Sequence, residues 1–307
     1  GRIAAAEERA SKAVRIPVEA YVSEDYARAE RDRLWGKVWL QAGRVEDIPE
    51  IGNFLTYDIL DDSIIVVRTR DGEVKAYHNI CRHRGNKLVW NDMPLEETSG
   101  VCRQFTCKYH AWRYDLDGNL TFVQQEGEFF DLDKSRYGLV PVHCEVWEGF
   151  IFVNFDDNAV SLEEYLGEFG QGLKGYPFHE MTEHYSYRAE IKSNWKLFID
   201  AFVEFYHAPI LHMKQAEKEE AEKLAKFGFE ALHYDIKGDH SMISSWGGMS
   251  PPKDLNMVKP IERILHSGLF GPWDRPDIKG ILPDELPPAV NPARQKTWGQ
   301  DSFEFFP

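Results

Sequence analysis

Four side chains that bind soft or borderline metals occur in this chain as two closely spaced pairs. The first pair is Cys81 with His83, in the segment C-R-H-R-G, and the second is Cys107 with His110, in the segment C-K-Y-H-A-W. Each pair combines one thiol with one imidazole, so the two segments can supply two thiolates and two imidazoles. This donor set occurs in zinc sites and in iron–sulfur centres.

The spacing distinguishes these two kinds of centre. A zinc site with two Cys and two His usually draws its ligands as one Cys pair and one His pair, whereas both pairs are mixed here. A Rieske-type [2Fe–2S] cluster places two Cys on one iron and two His on the other. Mixed pairs from two loops satisfy that arrangement, so the spacing favours the cluster over zinc.

A second group of polar residues lies on one predicted helix, over residues 194–207. Asp200, Glu204 and His207 recur at i, i+4 and i+7, and aromatic residues follow another row of the same helix. A helix this aromatic is expected to be buried, and buried carboxylates beside a His need a metal or hydrogen-bonding partners. This polar row is therefore a candidate metal-binding site.

His212 follows His207 by five residues, an offset that separates two side chains by about 140° on a regular helix. Pro209 lies between them and favours a bend, which allows both imidazoles to point at one centre. Two His and one carboxylate form the facial triad of non-haem Fe(II) oxygenases, with open positions for dioxygen and substrate. Without the Cys and His pairs, the two His would be interpreted as hydrogen-bonded core residues.

Both segments resemble those of Rieske non-haem iron oxygenases, specifically the large (alpha) subunit of aromatic ring-hydroxylating oxygenases. That family has C-x-H-R-G, a spacer and C-x-x-H-x-W, followed later by N-W-K, an acid and E-x-Y-H-x-x-x-x-H. The resemblance implies that the [2Fe–2S] ligands are Cys81, His83, Cys107 and His110. It also implies that a mononuclear Fe(II) is bound by His207 and His212. Glu204 then resembles the acid that hydrogen-bonds a cluster-ligand His of the neighbouring subunit.

The resemblance also implies a third, carboxylate iron ligand, which in this family is an Asp on a late helix. Asp301 is the nearest candidate, but its position before an aromatic strand favours a role in a turn. The ligand Asp is therefore expected beyond residue 307, and the sequence is expected to lack the C-terminal part of its catalytic domain.

The expected fold class is α+β. Alternation with a period of two, broken by turn dipeptides such as Asp71-Gly72 and Asp117-Gly118, predicts an antiparallel β domain over residues 37–157. Residues 1–36 are predicted to form N-terminal helices that pack with the catalytic domain, one of them starting at Ser23. The resemblance assigns a Rieske domain to residues 37–157 and a helix-grip (START-like) domain with a curved antiparallel sheet to residues 158–307.

The composition of the chain indicates which kinds of partner and which compartment to expect. The net charge of −15 over 307 residues disfavours nucleic acid and acidic membrane surfaces. Cys102 and Cys144 are expected to be inert, half-buried thiols, and four Cys in a chain of this length suggest a reducing compartment, here the cytoplasm. No apolar run approaches the roughly 18 residues of a membrane span. No nicotinamide-binding glycine motif follows a strand, so a separate reductase is required.

The resemblance implies a terminal oxygenase. It would take electrons from an NAD(P)H-dependent reductase, directly or through a ferredoxin, and use dioxygen to hydroxylate a small organic substrate, aromatic or apolar. A homotrimer, with or without a small beta subunit, is the expected assembly. Three alternatives remain: oxidative demethylation or C–H hydroxylation of a non-aromatic substrate, an electron-transfer protein carrying the cluster alone, and a ligand-binding protein that lacks the mononuclear iron.

Overall fold

The computed structural model describes residues 15–90, 99–175, 178–181, 191–203, 207, 211, 218–219, 222, 232–245 and 302–306. Its contacts divide the chain into two units. One unit combines Gly1–Leu34 with Ser186–Glu230, and the other combines Trp35–Tyr185 with Ala231–Pro307. The sequence-based boundaries at 36/37 and 157/158 remain predictions, since this grouping does not follow the order of the chain.

The second unit is built mainly from β-strands. Its strands are β1 (Leu40–Arg44), β2 (Asn53–Ile59), β3 (Asp62–Arg68), β4 (Val74–His78), β5 (Ser99–Val101), β6 (Phe105–Thr106), β7 (Arg113–Tyr114), β8 (Leu120–Phe122), β9 (Pro141–Trp147) and β10 (Phe150–Asn154). Seven of them form an antiparallel sheet in the order β1-β10-β9-β4-β3-β2-β5, and β6-β7-β8 form a smaller antiparallel sheet. The predicted antiparallel β domain is confirmed.

Strand β3 shows why the large sheet has a core on both faces. Ile64 and Val66 point into one apolar cluster, whereas Ile65 and Val67 point into another, as the two-residue period of a strand requires. All four side chains are fully buried. The cluster around Ile65 and Val67 lies between the large and small sheets, and it includes the residues that carry the first candidate site.

Tight turns connect these strands where the sequence predicts them. Gly72 and Gly118 have φ angles of +84° and +80°, in the left-handed region that glycine adopts without strain. Both hairpin dipeptides are therefore confirmed. Tyr77 packs so closely against Gly118 that a Cβ there would lie 2.6 Å from its ring.

Helix α3 (Leu162–Leu173) packs on the outside of this unit through Leu162 and Leu166, which contact Trp39 and Phe152. A hairpin of β11 (Leu232–Lys237) and β12 (His240–Ser245) follows, and β13 (Ser302–Phe306) pairs with β12. The two strands turn at Gly238, which has a φ of +59°. Asp301 lies outside the described residues.

In the first unit, helices α1 (Glu19–Val22) and α2 (Glu24–Glu30) precede a π-helical turn, Arg31–Trp35, that leads into the β domain. The side chain of Ser23 accepts a hydrogen bond from the backbone N–H of Tyr26, which confirms the predicted helix start. Helix α4 (Trp195–Phe202) belongs to the same unit and starts at its N-cap, Asn194. Among the described residues, no helix is long and apolar enough to cross a membrane.

Candidate metal centres

The first ligand pair lies on a short loop after β4, and backbone hydrogen bonds close that loop. The N–H of Cys81 donates to the carbonyl of Asn86 at 2.8 Å, and the N–H of Gly85 donates to the carbonyl of Cys81 at 3.0 Å. Gly85 has a φ of +71°, so the turn needs a residue that tolerates the left-handed region. The glycine of C-R-H-R-G therefore avoids the strain that a Cβ would add at this position.

The second pair lies on a loop between β6 and β7 that repeats this geometry. The N–H of Cys107 donates to the carbonyl of Trp112, and the N–H of Ala111 donates to the carbonyl of Cys107, at 2.8 and 2.9 Å. Ala111 occupies the position of Gly85, with a φ of +57°. Two loops of one design thus present one Cys and one His each, although their ligand spacings differ by one residue.

The two kinds of ligand occupy different depths. Cys81 and Cys107 are 2% and 3% exposed and belong to the core between the two sheets, and their thiols are in hydrogen-bonding contact. His83 and His110 are half-buried, with ring centroids 4.7 Å apart. The sulfur pair therefore faces the interior and the imidazole pair faces the outside. Within the described ranges, no three His, Cys, Asp or Glu side chains gather as ligands of a single ion.

The imidazole of His83 is fixed by aromatic rings. It stacks on Trp112 at 4.8 Å with an interplanar angle of 10°, and Phe129 lies edge-on to it at 6.1 Å. Its Nδ1 is buried, and no described residue hydrogen-bonds it. Burial, followed by the nearby His110, lowers the pKa of His83, which favours the neutral ring. A buried neutral ring nitrogen without a partner is free to bind a metal.

The sulfur of Cys81 has a polar neighbour, the hydroxyl of Tyr114. The hydroxyl of Tyr114 lies 3.4 Å from its Sγ, and the same hydroxyl accepts a hydrogen bond from the N–H of Arg82 at 3.0 Å. Burial raises the pKa of the Cys81 thiol, while the Tyr114 hydroxyl and the N–H of His83 act in the opposite direction. Metal binding would remove the proton that burial retains.

His110 has the more open surroundings of the two imidazoles. Its ring contacts the ring of Tyr109 at 3.9 Å, and the guanidinium of Arg84 lies 5.7 Å from the centre of the Tyr109 ring. Tyr109 is 56% exposed. An aromatic side chain in contact with both His110 and solvent marks this side as the accessible edge of the site.

Asn79, two residues before the first ligand, closes the base of the first loop. Its Oδ1 accepts hydrogen bonds from the N–H groups of Leu88 and Val89, and its Nδ2 donates to the carbonyl of Val89 and the hydroxyl of Ser63. The side chain is fully buried and its hydrogen-bonding capacity is used completely. It thereby joins both ends of the ligand loop to strand β3.

These observations fit a [2Fe–2S] cluster bound by Cys81, His83, Cys107 and His110. Two adjacent buried thiols suit one iron, and two adjacent imidazoles suit the other, since one of them has a buried nitrogen that no described residue hydrogen-bonds.

The second group of candidate ligands, Asp200, Glu204, His207 and His212, lies only partly within the described residues. Asp200 lies on α4, and His207 lies on a turn where its carbonyl accepts a hydrogen bond from the N–H of Leu211 at 2.8 Å. Glu204 and His212 lie outside the described residues. The donor chemistry, two imidazoles with neighbouring carboxylates, fits a mononuclear Fe(II).

The expectation that the aromatic helix is buried is wrong for its described part. Leu197 and Phe198 are 51% and 53% exposed, and no residue of Trp195–Phe202 is fully buried. The reason is that α4 packs on the N-terminal helices through its polar side, where Lys196 and Asp200 hydrogen-bond Glu30 and Tyr21.

Sequence reasoning missed two residues that shape the first site, Tyr114 and Asn79. The spacing held a signal for Tyr114, because in a strand a residue two positions after Trp112 points to the same side as that core residue. Asn79 had no such signal, since its partners lie on other loops and strands.

Two family models match the chain, each over about a third of it. Residues 38–135 match a Rieske [2Fe-2S] domain, which contains both ligand pairs. Residues 178–281 match the catalytic domain of a ring-hydroxylating alpha subunit, which contains Glu204, His207 and His212.

Curated relatives are similar over a comparable span. The oxygenase subunit of carnitine monooxygenase from Escherichia coli K12 is 30% identical over 199 residues, covering 64% of this chain and 52% of that protein. The alpha subunit of benzene 1,2-dioxygenase from Pseudomonas putida is 34% identical over 208 residues, covering 64% and 44%. The alpha subunit of methanesulfonate monooxygenase hydroxylase from Methylosulfonomonas methylovora is 34% identical, covering 62% and 48%. The chain thus spans about half the length of these relatives.

Solved structures share the fold. Naphthalene 1,2-dioxygenase with indole in its active site superposes with a TM-score of 0.65 at 28% identity, covering 80% of this chain and 57% of the other. A quaternary ammonium Rieske monooxygenase in complex with L-carnitine gives a TM-score of 0.62 at 23% identity, covering 74% and 60%, a likeness in fold alone. The predicted fold class, an antiparallel Rieske domain with an α+β catalytic domain, is confirmed.

Proposed function

Because this chain belongs to the family of Rieske oxygenase alpha subunits, we propose that it acts in a terminal oxygenase that hydroxylates an organic substrate with dioxygen. The observation that carries the proposal is the paired loops. They bring two buried thiols together on the inside and two imidazoles together on the outside, and no described residue hydrogen-bonds the buried Nδ1 of His83.

Within this proposal, Cys81, His83, Cys107 and His110 hold the [2Fe–2S] cluster, and His207 and His212 hold the mononuclear Fe(II). When bound, the cluster supplies single electrons and the Fe(II) activates dioxygen. The protein shapes the first site. Its core keeps water from the thiols, and the hydroxyl of Tyr114 can donate a hydrogen bond to the Cys81 thiolate.

The half-buried imidazole edge is the proposed path of electrons out of the cluster. His110 and its exposed neighbour Tyr109 lie at that edge. Glu204 is the proposed link, as the acid that would hydrogen-bond a cluster-ligand His of a neighbouring subunit in a homotrimer. A carboxylate there can hold the imidazole orientation and accept its proton.

The proposed partners are an NAD(P)H-dependent reductase, directly or through a ferredoxin, and dioxygen. Assembly with a small beta subunit belongs to the same proposal. The relatives act on both kinds of substrate considered above, since the named substrates include benzene and carnitine. We therefore propose an organic substrate without choosing between ring hydroxylation and attack on a non-aromatic molecule.

Iron analysis and one substitution test the proposal. The full-length protein should contain about three irons per chain, with the absorption and electron paramagnetic resonance (EPR) spectrum of a cluster bound by two Cys and two His. About two irons per chain would leave an electron-transfer protein instead. A zinc-containing protein without visible absorption would contradict both readings.

Glu204→Gln should leave the cluster spectrum intact and abolish dioxygen consumption with reductase and substrate, since the amide cannot accept the proton. Glu219→Gln, a change at an exposed position, is the control and should keep wild-type turnover. Normal turnover in Glu204→Gln would refute the proposed link.

A further inference from the structure

The N-W-K segment at the start of α4 contains no candidate ligand, yet its side chains are all engaged with the N-terminal helices. Asn194 caps α4 by accepting a hydrogen bond from the N–H of Lys196, and its Nδ2 donates to the backbone carbonyl of Tyr21 at 3.2 Å. Trp195 and Lys196 both bind Glu30 of α2. This motif therefore binds a surface contributed by residues that precede it by more than 160 positions.

Glu30 is the centre of these contacts. Its Oε1 accepts a hydrogen bond from the Nζ of Lys196 at 2.6 Å, and its Oε2 accepts one from the indole Nε1 of Trp195 at 3.2 Å. The Glu30 side chain is 9% exposed and that of Lys196 is 17% exposed, so little water screens the pair. Each carboxylate oxygen thus holds one residue of the motif.

Aromatic rings surround the ammonium group of Lys196. The ring centres of Tyr21, Tyr26 and Trp195 lie 5.2 to 5.6 Å from its Nζ. These rings favour the cation and leave the side chain few alternative positions. The ion pair with Glu30 therefore compensates the charge of Lys196, and the rings restrain the orientation of its side chain.

One turn further along α4, a second contact repeats the attachment. The hydroxyl of Tyr21 donates to Oδ2 of Asp200 at 2.9 Å. The contact with Asp200 raises the pKa of Tyr21, so the hydroxyl remains a donor. Two attachments one turn apart restrain both the position and the rotation of a helix.

We infer that Glu30 and Tyr21 are positioning residues for the mononuclear iron site, acting through Lys196 and Asp200 on α4, which ends five residues before His207. This inference rests on the proposed function. Asp200 precedes His207 by only seven residues of chain, so the position of α4 limits the positions that His207 can take. Metal–ligand distances tolerate only about 0.2 Å.

The test measures the affinity of full-length protein for Fe(II) after its mononuclear iron has been removed with the cluster kept in place. Tyr21→Phe removes one hydroxyl and should weaken Fe(II) binding about threefold to tenfold, below the range for groups that hydrogen-bond a ligand directly. The cluster spectrum and iron content of the cluster should stay at wild-type values. Tyr26→Phe is the matched control, because its ring also lies near Lys196 but its hydroxyl is not the donor to Asp200.

Glu30→Gln should weaken Fe(II) binding further, because the amide loses the charge that faces Lys196. If that variant fails to fold, the pair Glu30→Gln with Lys196→Gln removes both charges and serves in its place. Unchanged Fe(II) affinity in Tyr21→Phe would overturn the inference, as would loss of the cluster together with the iron. A wild-type protein that binds no second iron would overturn the proposed function, and this inference with it.

Discussion

At the scale of single residues, the four candidate cluster ligands have unequal surroundings. The two thiols lie in the core, and the two imidazoles lie nearer solvent. Cys81 faces the hydroxyl of Tyr114, whereas His83 stacks on the ring of Trp112. Hydrogen bonds to the sulfurs and exclusion of water are two of the means by which a protein tunes the reduction potential of such a centre.

Tyr114→Phe is expected to lower the reduction potential of the cluster. The hydroxyl can donate to the Cys81 thiolate and so stabilises the extra negative charge of the reduced state. A charge-assisted hydrogen bond is worth roughly 1.5 kcal/mol, and only its difference between the two oxidation states shifts the potential, so the fall should be at most about 60 mV for one electron. Redox titration followed by EPR measures the shift.

Tyr77→Phe is the control for this change, because Tyr77 lies in the same core and no described hydrogen bond joins its hydroxyl to a cysteine. An unchanged potential in Tyr114→Phe, or an equal shift in the control, would contradict the assigned role.

At the scale of elements, the two ligand loops form a natural comparison. Both close with the same pair of backbone hydrogen bonds, and both require a positive φ four residues after the Cys. One loop has Gly85 at that position and the other has Ala111. A Cβ in the left-handed region costs about 1 kcal/mol or more, so the second loop carries strain that the first avoids.

Ala111→Gly is therefore expected to stabilise the loaded protein. Glycine removes the strain in the folded loop but also raises the entropy of the unfolded chain, and the first effect is the larger. The free energy of unfolding should therefore rise by roughly 0.5 kcal/mol, and the apparent Tm by a degree or two. Gly85→Ala is the matched reverse change, and a Cβ there would meet no atom within 4 Å, so its effect isolates the backbone. It should destabilise by about 1 kcal/mol.

Thermal unfolding of the two variants, followed through the visible absorption of the cluster, provides the measurement. A fall in Tm for Ala111→Gly, or a rise for Gly85→Ala, would show that the two loops do not share one backbone requirement.

At the scale of the whole molecule, charge is distributed unevenly. The chain carries a net charge of −15, yet the described ligand segments, residues 81–90 and 99–113, contain six Lys or Arg and no Asp or Glu. These are Arg82, Arg84, Lys87, Arg103, Lys108 and Arg113. Lys87 forms an ion pair with Asp58. The described segments that carry the ligands are thus basic on a strongly acidic chain, and Arg84 lies beside Tyr109 at the accessible edge.

This distribution predicts how small reductants reach the cluster. Local charge dominates at short range because the Debye length is only about 8 to 10 Å at physiological salt. Salt screens the attraction between anionic dithionite and the basic segments, so the rate of reduction should fall by roughly several-fold as ionic strength rises from low to physiological values. Reduction by the reduced methyl viologen cation should change little or accelerate.

Stopped-flow absorption measures both rates, and Arg84→Gln should weaken the salt dependence for dithionite. If dithionite instead reacted faster with rising salt and the viologen reacted more slowly, the net charge of −15, rather than the local basic edge, would control access.

The local elements could be read from the chain because their signals are local. Alternation in β3 and the dipeptides at Gly72 and Gly118 predicted strands and turns that the structure contains. Ser23 likewise predicted the start of a helix. The aromatic helix α4 was misjudged, because periodicity shows that a helix has two sides but does not show which one packs.

The sequence by itself determined the ligand types and their grouping, because each mixed pair, Cys81 with His83 and Cys107 with His110, is adjacent in the chain whatever the fold. Only the tertiary structure decided that thiols face inward and imidazoles outward, because that depends on how two sheets enclose the loops. Likewise, Glu30 meets Trp195 and Lys196 across 165 and 166 residues of chain. Contacts over such separations leave no periodic trace in a single sequence, so only the folded chain shows them.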